Sequence, residues 1–173
     1  MNESLNHKQI QYYLGQLCKI IRYGELKDID NLDTYMKDIK YLVILYEEEK
    51  HRGHWCCVIK DNVQNIFEFF DSYGTKPDEQ LQDIPMVIRN NLNMEFPLLG
   101  QLMFESCRET VYNDHKLQKL SDKISTCGKW VILRCMMSEL PIDAFAALFM
   151  HKYMSDKYCH EIYKLMTKHF KKY

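Results

Sequence analysis

The chain predicts an α+β domain in which a small, largely antiparallel sheet is flanked by helices, and three observations carry that expectation. Short runs rich in aromatic and β-branched residues, YLVILY (41–46), HWCCVI (54–59) and NIFEFFD (65–71), follow one another closely. Segments with helical periodicity bracket them, one near the N-terminus and three towards the C-terminus. With 173 residues, 46% of them hydrophobic, the chain can bury one good core and is short for two, so residues 1–173 are read as a single domain.

Each element follows from its own signal. Leu5, Ile10, Tyr13, Leu14, Leu17, Ile20 and Ile21 recur at helical spacing behind the capping residues Asn2 and Ser4, which predicts an amphipathic helix over 5–21. Residues 23–40 are polar and irregular and read as loop with one short helical turn. The three apolar runs are too short for ordinary helices and read as strands. In KDNVQ, Asp61 and Asn62 stand where a tight turn belongs, so an antiparallel meander is expected. Residues 77–92 open with Pro and acidic residues, as a helix does, and Pro85 should break or kink that helix. CRETVYN (107–113) reads as another short strand. Helices are expected over 127–140, 142–154 and 157–170, with Pro141 and Ser155 marking the breaks.

Composition narrows the function classes. Twenty-three Lys and Arg against 24 Asp and Glu leave a net charge of −1, which gives no global attraction to nucleic acid or acidic membranes. Seven cysteines, an odd number without framework spacing, suit reduced thiols in an intracellular compartment. No window approaches the eighteen or so apolar residues of a membrane span, so no membrane partner is expected.

Three residues suggest chemistry. Cys127, in ISTCGKWVIL, follows Ser125 and Thr126, both able to cap a helix, and precedes a periodic apolar run. At a helix N-terminus the partial positive charge lowers a thiol pKa, and unpaired backbone N–H groups can donate to an oxyanion. Gly128 would let a substrate carbonyl approach closely. By itself a Cys-Gly pair before a helix is more often structural. His54 and Asp71 add to it, because a thiol nucleophile needs an imidazole to move its proton and a carboxylate to orient that imidazole. One begins a strand and the other ends the next, and in a meander those ends lie side by side. Cys56 and Cys57 are mid-strand, with no helix end to activate them. Metal binding through HRGHWCC is disfavoured, because adjacent strand residues point to opposite faces and no paired-cysteine knuckle is present.

GHW, FFDSYG and LQKLSDKISTCGKW together resemble the order His, Asp, Gln, Cys of the adenovirus protease (adenain) and SUMO-deconjugating cysteine protease superfamily, over residues 53–135. The resemblance implies a papain-like fold in circularly permuted order and a thiol hydrolase needing no cofactor. It implies His54 as general base, Asp71 as its orienter and Cys127 as nucleophile. Gln118 would share the oxyanion hole with the Cys127 backbone N–H, and Trp55 and Gly128 would shape the substrate groove. Gln118 stands nine residues before Cys127, a wider spacing than the family usually shows.

The implied substrates are proteins or peptides. The viral branch cleaves precursor proteins of the capsid or core, often at Gly-containing sites, during virion maturation, and the alternative is removal of ubiquitin or SUMO-like modifiers. A binding module on a decayed protease fold is a further alternative. A DNA or short-peptide activator is implied for the viral branch. Residues 151–173, with six lysines against Asp156 and Glu161, offer a basic face, though a solvated helix is the plainer reading. The implied setting is intracellular, in the host cytoplasm or nucleus where virions assemble, with packaging into the virion an extension of the same reading.

Overall fold

A computed structural model describes residues 4–49, 52–121, 124–150 and 155–172. Helix α1 (His7–Leu14) is capped by Asn6, whose side chain accepts from the Gln9 N–H at 3.1 Å while the Gln9 side chain accepts from the Asn6 N–H at 2.9 Å. Asn6 therefore takes the capping place expected of Ser4, and Asn2 lies outside the described residues. The expected helix over 5–21 is corrected: it stops at Gly15, at φ 65°, and after a short 3-10 turn the chain becomes strand β1 (Cys18–Arg22). Pairing with a neighbouring strand outweighs the helical spacing of Ile20 and Ile21, a contact that local periodicity does not register.

Residues 23–28 form a 3-10 turn and Leu32–Tyr35 a short helix, α2. The three apolar runs become β2 (Tyr41–Glu49), β3 (Arg52–Asp61) and β4 (Ile66–Phe70), an antiparallel meander as expected. The Asp61 carboxylate closes the β3–β4 turn by accepting from the N–H groups of Val63 and Gln64 at 2.7 and 3.0 Å. With β5 (Glu109–Tyr112) the sheet has the order β1-β2-β3-β4-β5, and both outer strands pair in parallel, so it is mixed rather than largely antiparallel.

Pro85 divides residues 77–92 into a 3-10 turn (Glu79–Asp83) and helix α3 (Met86–Asn91). Helix α4 (Leu98–Phe104) was not foreseen, because its cap comes from outside: Asp78 accepts from the N–H groups of Leu99 and Gly100. The chain then forms α5 (Cys127–Met136), α6 (Ile142–Met150) and α7 (Ser155–Thr167).

Alternation along the strands separates two cores. Val43, Leu45, Trp55, Cys57 and Phe70 face α5, around which α1, α6 and α7 pack. Ile44, Tyr46, Cys56, Val58, Phe67 and Phe69 face the opposite layer, which includes α2 and α4. Helix α5 is buried from Cys127 to Cys135, as befits a central helix with apolar residues on every side. Its far end is tied to β4 by a buried ion pair, with Arg134 Nε and Nη2 at 2.7 and 2.8 Å from the two Glu68 carboxylate oxygens.

One irregularity places the site. The β3–β4 ladder ends at the Cys57–Phe70 pair, while β3 runs on beside β2 through Trp55, His54 and Gly53. The Trp55 N–H donates to the sulfur of Cys127, so the start of α5 occupies the gap where β4 leaves β3. At Gly53, next to a bulge in β2, a Cβ would stand 1.8 Å from the Tyr46 carbonyl oxygen, so the close strand approach requires glycine.

Candidate active site

The gap brings His54, Asp71 and Cys127 together. Asp71 follows the last residue of β4, and its Oδ1 lies 2.7 Å from His54 Nε2. Cys127 is the first residue of α5 and hydrogen-bonds to His54. Because Nε2 is taken by Asp71, the imidazole serves a carboxylate at one end and a thiol at the other. The Asp71 carboxylate is held by the Tyr73 N–H at 2.8 Å, by the Thr75 hydroxyl and by Gln80 Nε2 at 3.2 Å, which fixes the plane of the imidazole it orients.

The electrostatics follow. Burial raises the Cys127 pKa, but the hydrogen bond and charge of His54, with the N–H groups of Trp55 and Gly128, outweigh it and hold the thiol below its ordinary value. Burial lowers the His54 pKa, and the charge of Asp71 with the hydrogen bonds to Asp71 and Cys127 carries it well above the ordinary imidazole value. Burial raises Asp71, and His54, Thr75 and the Tyr73 N–H bring it below the usual carboxylate range. The three shifts favour thiolate, imidazolium and carboxylate in a row.

Cys127 and His54 open on a cleft of about 1280 Å³ that is also lined by Trp55, Tyr73, Gln118 and Ile124. The Tyr73 ring stacks on His54 with centroids 4.4 Å apart. Gln118 Nε2 reaches the Tyr73 hydroxyl at 3.3 Å and the Ile124 carbonyl at 3.5 Å, while its Oε1 accepts from the Ser72 hydroxyl at 2.8 Å. Trp55 forms part of the wall, its indole N–H donating to the Leu5 carbonyl at 3.0 Å. Gly128 lies beneath that wall and is not among the cleft residues: a Cβ there would stand 3.1 Å from Leu5 Cβ and 3.4 Å from Trp55 Cδ1, so its smallness serves packing.

The capping expectation for Ser125 and Thr126 is corrected. Thr126 is the N-cap residue, yet its side chain makes no cap bond; its hydroxyl donates to Asp156 at 2.5 Å. Asp156, buried in the first turn of α7, also accepts from Trp130 Nε1 at 3.1 Å and the Lys119 N–H at 3.0 Å, so it anchors the start of α5 from outside. Cys56 is the other surprise. Standing two residues from His54 on one strand, it shares that face, and the ligating atoms of His54, Cys56 and Asp71 all lie within 4.8 Å of one another. Their donors and acceptors are already turned to one another, and burial pushes the Cys56 thiol far up, so it stays protonated in a hydrogen-bonded cluster. Cys57 points into the other core, 3.8 Å from the sulfur of Cys135, and His51 lies outside the described residues.

Tyr73, Ser72, Cys56 and Asp156 were not singled out as site residues. The i, i+2 spacing of His54 and Cys56 could have identified one of them. The others depend on contacts across 19 residues or more, such as Tyr73 with His54, Asp156 with Trp130 and Ser72 with Gln118, that no local pattern encodes.

No family model matches the chain. Over 153 residues, 88% of this chain and 84% of the relative, it is 34% identical to a Sputnik virophage protein called "Uncharacterized protein V9". Among solved structures it resembles the SUMO protease Ulp1 with its catalytic cysteine oxidized to a sulfonic acid, at a TM-score of 0.51 and 14% identity, covering 97% of this chain and 80% of that one. The form with that cysteine oxidized to a sulfenic acid also gives a TM-score of 0.51, at 13% identity, with 98% and 80% covered. No described helix is long and apolar enough to cross a membrane. The chain thus has the Ulp1-like protease fold, and it belongs to the family of the Sputnik virophage V9 protein.

Proposed function

We propose that the chain is a cysteine endopeptidase that cleaves viral precursor proteins at Gly-containing sites during virion maturation. The observation that carries this reading is the row Asp71, His54, Cys127, with the thiol biased towards thiolate at the mouth of an open cleft. In this mechanism the Cys127 thiolate attacks the scissile carbonyl carbon, and the carbonyl electron pair moves to oxygen. Gln118 Nε2 and the Cys127 backbone N–H, at the helix start, receive that oxyanion. His54 then gives its proton to the leaving amine, leaving a thioester, and next takes a proton from the water that hydrolyses it. Asp71 keeps the imidazole in the required tautomer and stabilises the imidazolium. Trp55 walls the groove from which the substrate approaches.

The virophage relative supports the viral setting, and the protein substrate is the partner this mechanism requires. A second reading, removal of a ubiquitin-like modifier, is supported by the fold shared with a SUMO protease. Both use the same residues. Fluorogenic peptides ending in Gly-Gly or Ala-Gly, assayed beside ubiquitin and SUMO conjugates, decide between them: the first reading expects turnover of free peptides and of a co-expressed capsid precursor, lost in Cys127→Ala. Cleavage of conjugates alone would favour the second, and turnover of both substrates by Cys127→Ala would reject both.

A further inference from the structure

We infer that Ser72 is a positioning residue for the oxyanion donor, its hydroxyl anchoring the Gln118 amide through Oε1 so that Nε2 is held at the cleft. The inference rests on the protease reading above. A glutamine amide has near-identical shapes on its two sides, and only one of them can donate to an oxyanion. Here the partners dictate the choice. The Ile124 carbonyl can only accept, so the side facing it is Nε2, and Oε1 then receives the Ser72 hydroxyl at 2.8 Å. Ser72 is fully buried and not among the residues lining the cleft, whereas both Nε2 contacts, Tyr73 and Ile124, belong to residues that line it.

The two ends are held unequally. Oε1 has a short bond to a buried hydroxyl, while the Nε2 contacts are long, at 3.3 and 3.5 Å. The amide is therefore anchored through its oxygen and its hydrogens remain easily turned to an incoming charge. The main chain adds to this, because the Ser72 carbonyl accepts from the N–H groups of Leu117 and Gln118, both at 2.9 Å. Ser72 also directly follows Asp71, so one short segment orients the imidazole through a carboxylate and the oxyanion donor through a hydroxyl. Without that hydroxyl only the two long Nε2 contacts would hold the amide, and the donor would lose its fixed place at the oxyanion.

The test separates oxyanion binding from thiol reactivity in the full chain. A peptide aldehyde ending in glycinal adds the Cys127 sulfur to its carbonyl carbon, and the oxygen formed sits in the oxyanion hole. Iodoacetamide alkylates the same sulfur with loss of iodide and needs no such hole. Ser72→Ala, which leaves the main-chain bonds in place, should weaken aldehyde affinity about tenfold, the effect of one hydrogen bond. Gln118→Ala should weaken it about 100-fold. Adding Ser72→Ala to Gln118→Ala should cost less than about a further twofold, because the hydroxyl then has nothing to hold. Alkylation of Cys127, read by peptide mapping, should keep its wild-type rate in Ser72→Ala. If Ser72→Ala does not fold, Ser72→Cys retains a weaker donor and should lose several-fold in aldehyde affinity. Unchanged aldehyde affinity in the folded serine variant, or full additivity with Gln118→Ala, overturns the role while Cys127 stays reactive. An unreactive Cys127 in the wild-type chain overturns the protease reading itself, and this role with it.

Discussion

Helix α5 is joined to the central strands by buried polar groups at both ends, and the two ends are built to opposite purposes. At its far end Arg134 places four of its five N–H donors: two bonds go to Glu68 and two more, both at 2.9 Å, to the carbonyls of Met137 and Leu140. At its start Cys127 is bonded to His54 and two main-chain N–H groups but remains exposed enough to line a cleft. The first arrangement is buried on both sides of the pair. The second keeps charge-stabilising donors beside a sulfur at the cleft wall, an arrangement suited to reactivity where the first is suited to structure.

The largest expected effect breaks the reactive end. Cys127→Ala and His54→Ala should each reduce peptide cleavage by at least about 10⁴-fold, the first with little change in melting temperature and the second with a lowered one because Asp71 is left buried without its partner, whereas Asp71→Asn should leave residual activity because a weakened orienting bond survives. Cleavage by His54→Ala at the wild-type rate would refute the base assignment. Breaking the structural end should do the reverse. Glu68→Ala leaves Arg134 buried without its partner and should cost about 3–5 kcal/mol in chemical denaturation, with turnover per folded molecule retained. A loss below about 1 kcal/mol would show that the pair is not desolvated in solution.

The pH dependence sharpens the contrast. Because the Cys127 pKa is lowered and that of His54 raised, alkylation of Cys127 should persist to lower pH than that of an ordinary thiol. Asp71 is depressed in the folded state, so its stabilising effect is present above the ordinary carboxylate value and is lost as pH falls through the folded value. His54 runs the other way: its contribution is full below the ordinary imidazole value and is lost as pH rises through the raised folded one. Both losses should appear as shifts in denaturation midpoint that Asp71→Asn removes. The smallest effect is expected at Gly128→Ala, about 1 kcal/mol by thermal melting, since the new methyl meets the Leu5 side chain at 3.1 Å and that chain segment can give.

Much of the site was legible in the sequence, for a physical reason. A strand with His54 near its start and a strand that ends just before Asp71 bring those residues close when joined by a tight turn, and the register formed through the Asp61 turn leaves them two residues out of step, near enough for the 2.7 Å contact. The start of α5 was legible from its apolar run. The cap was not, because Thr126 satisfies a distant Asp156 and no local spacing records that choice. The same limit explains β1 and α4, one held by a parallel neighbour and the other capped by Asp78.

The residue order alone determined the strands of the meander, the helical start at Cys127 and the identity of the three groups in the row. Only tertiary structure decided which neighbours tune them. Packing placed the Cys56 thiol within 4.8 Å of the His54 and Asp71 ligating atoms, set Gly128 against Leu5 and Trp55, and set Ser72 against Gln118. Local pattern encodes the faces and ends of elements, because those follow from backbone period. The distances between groups far apart in the chain arise when the elements pack, and they govern proton affinity and the direction of each donor.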